Sequence, residues 1–324
     1  MRHTTPRRST PAKLAVIVTL ALVCGTASAQ PPDWAYPGCS KRATVNDGSE
    51  AVSVPGAAVS MLPARIRAPA DPPDWFPDEH SPAPPVVMVG ATPTTYACGY
   101  CHLVDGHGRP ENAKLAGLPA DYILRQLRAL RSAERREGLA GWLPTQLMIT
   151  LATNLTDADA HAAAEYFAKQ HARASVRVVE AADVPPHAAT CYVNEASAGA
   201  ATPLGERIVE IPDELERFER RDPHVGYTAY VPQGSLARGQ RLADGGRAGT
   251  PGCTTCHGNG LRGGPSAVGP PLAGRFPGYL FRQLEAFRSG ARSSADAAPM
   301  RAIVAGLSDS DLIDAVAYAA SLEP

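Results

Sequence analysis

YILRQLRALRSAER, residues 122–135, returns as YLFRQLEAFRSGAR at residues 279–292. In the second copy Tyr279, Phe281, Leu284 and Phe287 alternate with Arg282, Gln283, Glu285 and Arg288, the pattern of a helix with one buried face. The likeness runs on in both directions. LAG recurs at 115–117 and 272–274. MITLATNLTDADAHAAAEYFA from Met148 matches MRAIVAGLSDSDLIDAVAYAA from Met300. Collinear matching of this kind marks duplicated modules. Thr156 with Asp159, and Ser308 with Asp311, have the spacing of helix N-caps, and Gly290 is placed as a helix stop.

Ahead of each copy stands a pair of thiols followed by a histidine: CGYCH at 98–102 and CTTCH at 253–257. Two cysteines so spaced serve a redox dithiol, half a zinc site or a haem anchor. A thioredoxin-like dithiol belongs in a βαβ setting, and these surroundings read as helical. A zinc site needs its ligands at clustered spacings, and the two pairs stand far apart in the chain. C-x-x-C-H is the attachment motif of c-type haem. Cys98, Cys101, Cys253 and Cys256 would carry the thioether bonds, with His102 and His257 on the iron. Methionine is a suitable second axial ligand for an electron-transfer haem. Met148 and Met300 fall at matching places in the repeat, with Met88 as the fallback for the first haem. Bis-histidine ligation is the alternative.

The chain has 324 residues, 44% hydrophobic, with 31 prolines and 29 glycines, enough for one large or two small cored domains and much loop. A net charge of −1 argues against a nucleic-acid binder that relies on basic excess. Arg2, Arg7, Arg8 and Lys13 precede an apolar run from Leu14 to Val23, and Ala27-Ser28-Ala29 offers a cleavage site. Residues 1–29 are therefore expected to be a cleaved signal peptide, with Gln30 as the mature start, a periplasmic destination and no integral membrane segment in the mature chain. Cys24 raises a lipoprotein alternative, weakened by Val23 before it. Export implies an oxidising compartment. Removal of Cys24 from the seven cysteines leaves Cys39 and Cys191 outside the two motifs, and a disulfide between them is expected.

The expected division has a Pro-rich arm at 30–86 ("DPPDWFPDEHSPAPP") extended over the first module. The first module follows at 87–175, a connector at 176–232 and the second module at 233–324. "VRVVE" and "ERIVEI" give the connector short β-like runs and suggest a hairpin.

With these motifs the chain resembles the dihaem class I c-type cytochromes, most of all the cytochrome c4 and c553 families. CTTCHG, GPPLAG and APM…GLSDSDLIDAVAYAA carry the likeness in the second module. The resemblance covers the two modules, not 30–86 or 176–232. It implies a mainly α fold: two cytochrome c-like helical domains, each with a covalent haem c. It implies that Tyr122, Gln126, Arg135, Tyr279, Gln283 and Arg292 border the haem propionates. It also implies that Pro270 sits beside the proximal histidine, whose second ring nitrogen donates to a backbone carbonyl. The first module departs from the pattern. Ala113 stands where Pro270 stands, Leu147 replaces the proline before the methionine, and extra residues around EGLAGWLPTQ separate Arg135 from Met148. A looser first pocket is expected. The function implied is single-electron transfer between a redox donor and acceptor, such as a dehydrogenase or a terminal oxidase. Two alternatives are the cytochrome subunit of a periplasmic dehydrogenase complex and a dihaem peroxidase or sulfur-compound oxidase.

Overall fold

The computed structural model describes residues 30–39, 49–90, 96–247 and 249–324, together with Met1 and His3. The apolar run, Cys24 and the cleavage site lie outside the described residues. Among the described residues no helix is long and apolar enough to cross a membrane.

The arm carries two short helices, α1 (Pro63–Ile66) and α2 (Pro85–Met88), each with proline in its first turn, where the missing N–H costs nothing. It does not simply lie over the first module. Residues 34–36 pack on the second: Trp34 meets Phe281 at 4.5 Å between ring centroids, and Ala35 and Tyr36 join its core. The reason is area. Helix-face aromatics of the second repeat stay apolar on more than one side and need a further cover. Farther along, Val54, Met61, Ile66 and Trp75 form a small core of their own. Trp75 Nε1 donates to Arg220 O at 2.8 Å, which ties that core to the connector.

The first module is α3 (Cys98–His102), α4 (Ala120–Arg131), α5 (Leu143–Asn154) and α6 (Asp157–Ala168). Asp121 opens α4 and Arg128 and Arg131 close it, as the helix dipole favours. Thr156 caps α6 by accepting from Asp159 N at 3.1 Å. Val86 and Val87 of α2 pack with Ile123, Ala163, Ala164 and Phe167.

The connector is more than a hairpin. Its strands are β1 (Val176–Glu180), β2 (Asp183–Val184), β3 (His187–Thr190), β4 (Val193–Ala196), β5 (Thr202–Pro203) and β6 (Val209–Pro212). Helix α7 (Leu215–Glu219) and β7 (Tyr227–Val231) complete it. β7 is central in a three-stranded sheet, parallel to β1 and antiparallel to β6. β1 and β6 fall within the runs VRVVE and ERIVEI, whereas β7 (YTAYV) lies outside both; four of its five residues are buried. β3 and β4 form a hairpin with Thr190 opposite Val193. At its tip Cys191 is joined to Cys39 by a disulfide.

The second module is α8 (Ser235–Gly245), α9 (Thr254–His257), α10 (Pro277–Arg288), α11 (Ala298–Val304) and α12 (Asp309–Ser321). α8 crosses α12 at close range. A Cβ on Gly239 would lie 2.0 Å from Asp314 O, so only glycine admits the contact. Arg238 clasps the Asp314 carboxylate through Nε and Nη2 at 2.7 and 2.9 Å. Ser308 and Asp311 form a full capping box on α12.

The modules meet where α4 and α10 end. Arg135 and Arg292 form an antiparallel β-bridge, flanked by Arg136 N to Ala291 O at 2.9 Å and Ser293 N to Glu134 O at 2.7 Å.

Candidate haem sites

α3 presents Cys98, Cys101 and His102 to a cavity of about 740 Å³. Met148 of α5 borders the same cavity, and Met88 is not among its described lining residues. His102 Nδ1 donates to Ala113 O at 2.9 Å. A carbonyl only accepts, so Nδ1 carries the proton and Nε2 keeps its lone pair for a metal. Replacement of proline by Ala113 keeps this bond, because the acceptor is backbone. The insertion is not slack either. It brings its own proline, Pro144, to the first turn of α5. It also brings Trp142, which meets Tyr36 and Tyr192 edge-on at 5.5 and 6.0 Å.

The second copy has the same design. His257 is buried, with Nδ1 donating to Pro270 O at 2.7 Å. Gly269 presses against the ring: a Cβ there would lie 2.6 Å from His257 Cε1. Met300, just after Pro299 in α11, packs with Leu284, Phe287, Ala297 and Val304. The chain leaves each motif through a positive φ. The second motif uses Gly258 at +79°, whereas the first uses Leu103 at +60°, a conformation a leucine adopts only under strain.

The six polar residues of the repeat come together at the junction. Arg135 Nη1 donates to Gln126 Oε1 at 3.1 Å and Nη2 to Gln283 Oε1 at 3.2 Å. Arg292 mirrors it, with Nη1 to Gln283 Oε1 at 3.1 Å and Nη2 to Gln126 Oε1 at 2.6 Å. Arg135 Nη2 also donates to Tyr279 OH at 3.0 Å. Tyr122 bonds Arg292 in the same way; burial pushes its phenol up, but Arg292 and Arg135 outweigh burial and hold it below its ordinary value. Tyr122, Gln126, Arg135, Tyr279 and Gln283 all border the first cavity, so two of its wall residues belong to the other module.

Several residues at the sites carry no signal in the repeat. Lys114 Nζ donates to Gly274 O at 2.8 Å, and Arg275 donates back to Lys114 O while its Nε donates to Pro271 O at 2.6 Å. The loops that hold the two histidines are thereby linked. From the connector, the Arg221 guanidinium lies 3.6 Å from the Tyr100 ring centroid. Glu137, Trp142 and Arg221 all line the first cavity. Trp142 and Glu137 come from the stretch that holds the extra residues and Arg221 from the connector, where the repeat gives no matching side chain.

The chemistry of this donor set favours haem over the other two uses of paired thiols. Burial pushes the Cys98 thiol up to about 12 and raises Cys101 and Cys253 as well, unlike the lowered thiols of redox dithiols. Among the described residues no three His, Cys, Asp or Glu side chains are grouped to hold a metal ion. Thiols for thioether bonds, an imidazole with a bare Nε2, a methionine on the same cavity and buried guanidiniums for carboxylates together fit a haem c. Bound there, the haem supplies an iron that takes up and releases one electron.

Comparison with known proteins agrees. Residues 236–323 match the family model described as "Cytochrome c". A cytochrome c4 of Azotobacter vinelandii is 30% identical over 224 residues, which are 68% of this chain and 82% of that protein. The thiosulfate dehydrogenase electron acceptor of Stutzerimonas stutzeri (strain A1501) is 49% identical over 65 residues, 20% of this chain and 28% of that protein. Reduced recombinant cytochrome c4 from Pseudomonas stutzeri superposes with a TM-score of 0.45 and 26% identity, over 69% of this chain and 93% of that structure.

Proposed function

The chain belongs to the cytochrome c4 family, an electron-transfer c-type cytochrome with two covalent haem c groups, and from that premise we propose that it is a periplasmic carrier passing single electrons between redox partners through two His/Met-ligated haems. One observation supports the ligation: Cys98, Cys101, His102 and Met148 border one cavity. For the second haem the support is repeat equivalence, with Met300 at the position of Met148. The periplasmic location rests on the N-terminal charge and apolar pattern. The residues do the tuning. Ala113 O and Pro270 O orient the imidazoles, and the Arg135–Arg292 network offers positive charge to carboxylates at the junction.

A pyridine haemochrome count combined with a redox titration tests this reading. Two haems per chain, each with a far-red methionine band, are expected. Fewer than two haems would sink it.

A second reading is the cytochrome subunit of a dehydrogenase complex. It is supported by the likeness to a thiosulfate dehydrogenase electron acceptor and by an arm and connector beyond what two modules need. Co-purification with a larger oxidoreductase is its test.

A further inference from the structure

The junction network is symmetric, but one charged group on it is not. Glu137 stands two residues after Arg135; two after Arg292 stands Ser294. The Glu137 side chain is 7% exposed. Its carboxylate accepts from Gln283 Nε2, with its oxygens at 3.2 and 3.4 Å, and lies 3.6 Å from Arg282 Nε. Of that ion pair, only Glu137 is among the residues that border the first cavity. Arg282 is held behind that wall: Nη1 donates to Ala35 O of the arm at 3.1 Å, Nη2 to Pro110 O of the first module at 2.6 Å, and the guanidinium lies 4.6 Å from the ring centroid of Trp142, which does border the cavity. The negative end is therefore the one that meets the first site, and the repeat gives the second site no counterpart.

We propose that Glu137 tunes the first haem, lowering its reduction potential relative to the second and so setting where an electron rests. The proposal depends on the haem c reading of Cys98 and Cys101. Reduction adds one electron from the redox donor to ferric iron and lowers the site's charge by one. A fixed carboxylate on the cavity wall opposes that addition, and it does so more strongly where water is excluded. Glu137 thus acts as an electrostatic positioning residue, one that touches no reacting atom.

The experiment is a spectroelectrochemical titration of the full haem-loaded chain. Glu137→Gln and Glu137→Ala remove the charge; Glu137→Asp keeps it. Either neutral variant with two haems should raise one of the two potentials by about tenfold in the ferric–ferrous equilibrium, about 59 mV for one electron. The other potential should move less, and Glu137→Asp should stay near the unaltered chain. The wave that moves must be the one that Cys98→Ala/Cys101→Ala removes. Unmoved potentials, a shift of the other wave or an equal shift in Glu137→Asp would overturn the proposal. Loss of haem from both neutral variants but not from Glu137→Asp would assign Glu137 to folding and overturn it as well. A haem count below two in the unaltered chain would strike the haem reading instead, a distinct result.

Discussion

Arg135 and Arg292 hold the same place in the two repeats and meet across the junction, paired backbone to backbone, each guanidinium bonded to a glutamine of both modules. Two like charges so close, one of them buried, tolerate each other only if the surroundings supply acceptors and negative charge. Arg135→Gln should lower the reduction potential of at least the first haem, since a positive charge leaves its cavity wall. It should also cost roughly 1–3 kcal/mol through orphaned acceptors. Redox titration and thermal unfolding read the two effects separately. An unchanged potential would detach the network from the haem.

The two methionines make separable predictions. Met148→Ala should remove the far-red band of one haem and lower its potential, and Met300→Ala should do the same to the other. If both bands survive in either variant, that methionine is a core residue only.

The Cys39–Cys191 bond joins residues 152 apart in sequence. Cys39→Ser/Cys191→Ser should lose about 2–4 kcal/mol of stability with haem content unchanged. Urea unfolding followed at the haem bands measures it; an unaltered midpoint would show that packing alone holds the hairpin tip.

Glu210 is buried, and burial pushes its carboxyl up from 4.5 to about 7, with Arg282 and the Gly278 N–H pulling the other way. Below 4.5 both folded and unfolded chains hold this proton; between the two values only the folded chain does; above about 7 neither does. The folded state thus binds more protons within the window, and Glu210 makes stability fall as pH rises through it, by roughly 3 kcal/mol at most. Glu210→Gln should flatten that fall. Unfolding midpoints measured across the window decide, and parallel curves for variant and parent would refute the assignment.

Gly239→Ala should destabilise the second module by about 1–3 kcal/mol, because the new methyl meets the backbone of α12 rather than a movable side chain. Thermal unfolding measures the loss. Full tolerance would mean that α8 shifts freely on α12.

What the sequence showed followed repetition. Cys98, Cys101 and His102 could be read because Cys253, Cys256 and His257 repeat them, and Met148 because Met300 does. The helix ends at Thr156 and Ser308 were legible from local hydrogen-bond chemistry alone. The fit between parts was not. Trp34 on Phe281, Trp75 on Arg220 O and the sheet around β7 depend on residues distant in sequence with no shared pattern. Ala113 shows a limit of another kind: a side-chain change stands out in sequence, yet the bond to His102 uses a carbonyl that every residue has.

The packing of Trp34 against Phe281 also ties distant parts of the chain together. The early part of the chain has its seat on α10, and Cys39 is bonded to Cys191 at the hairpin tip. A lesion in α10 would therefore bare the aromatics of the arm as well as disturb the second module, so damage late in the sequence is felt at its beginning.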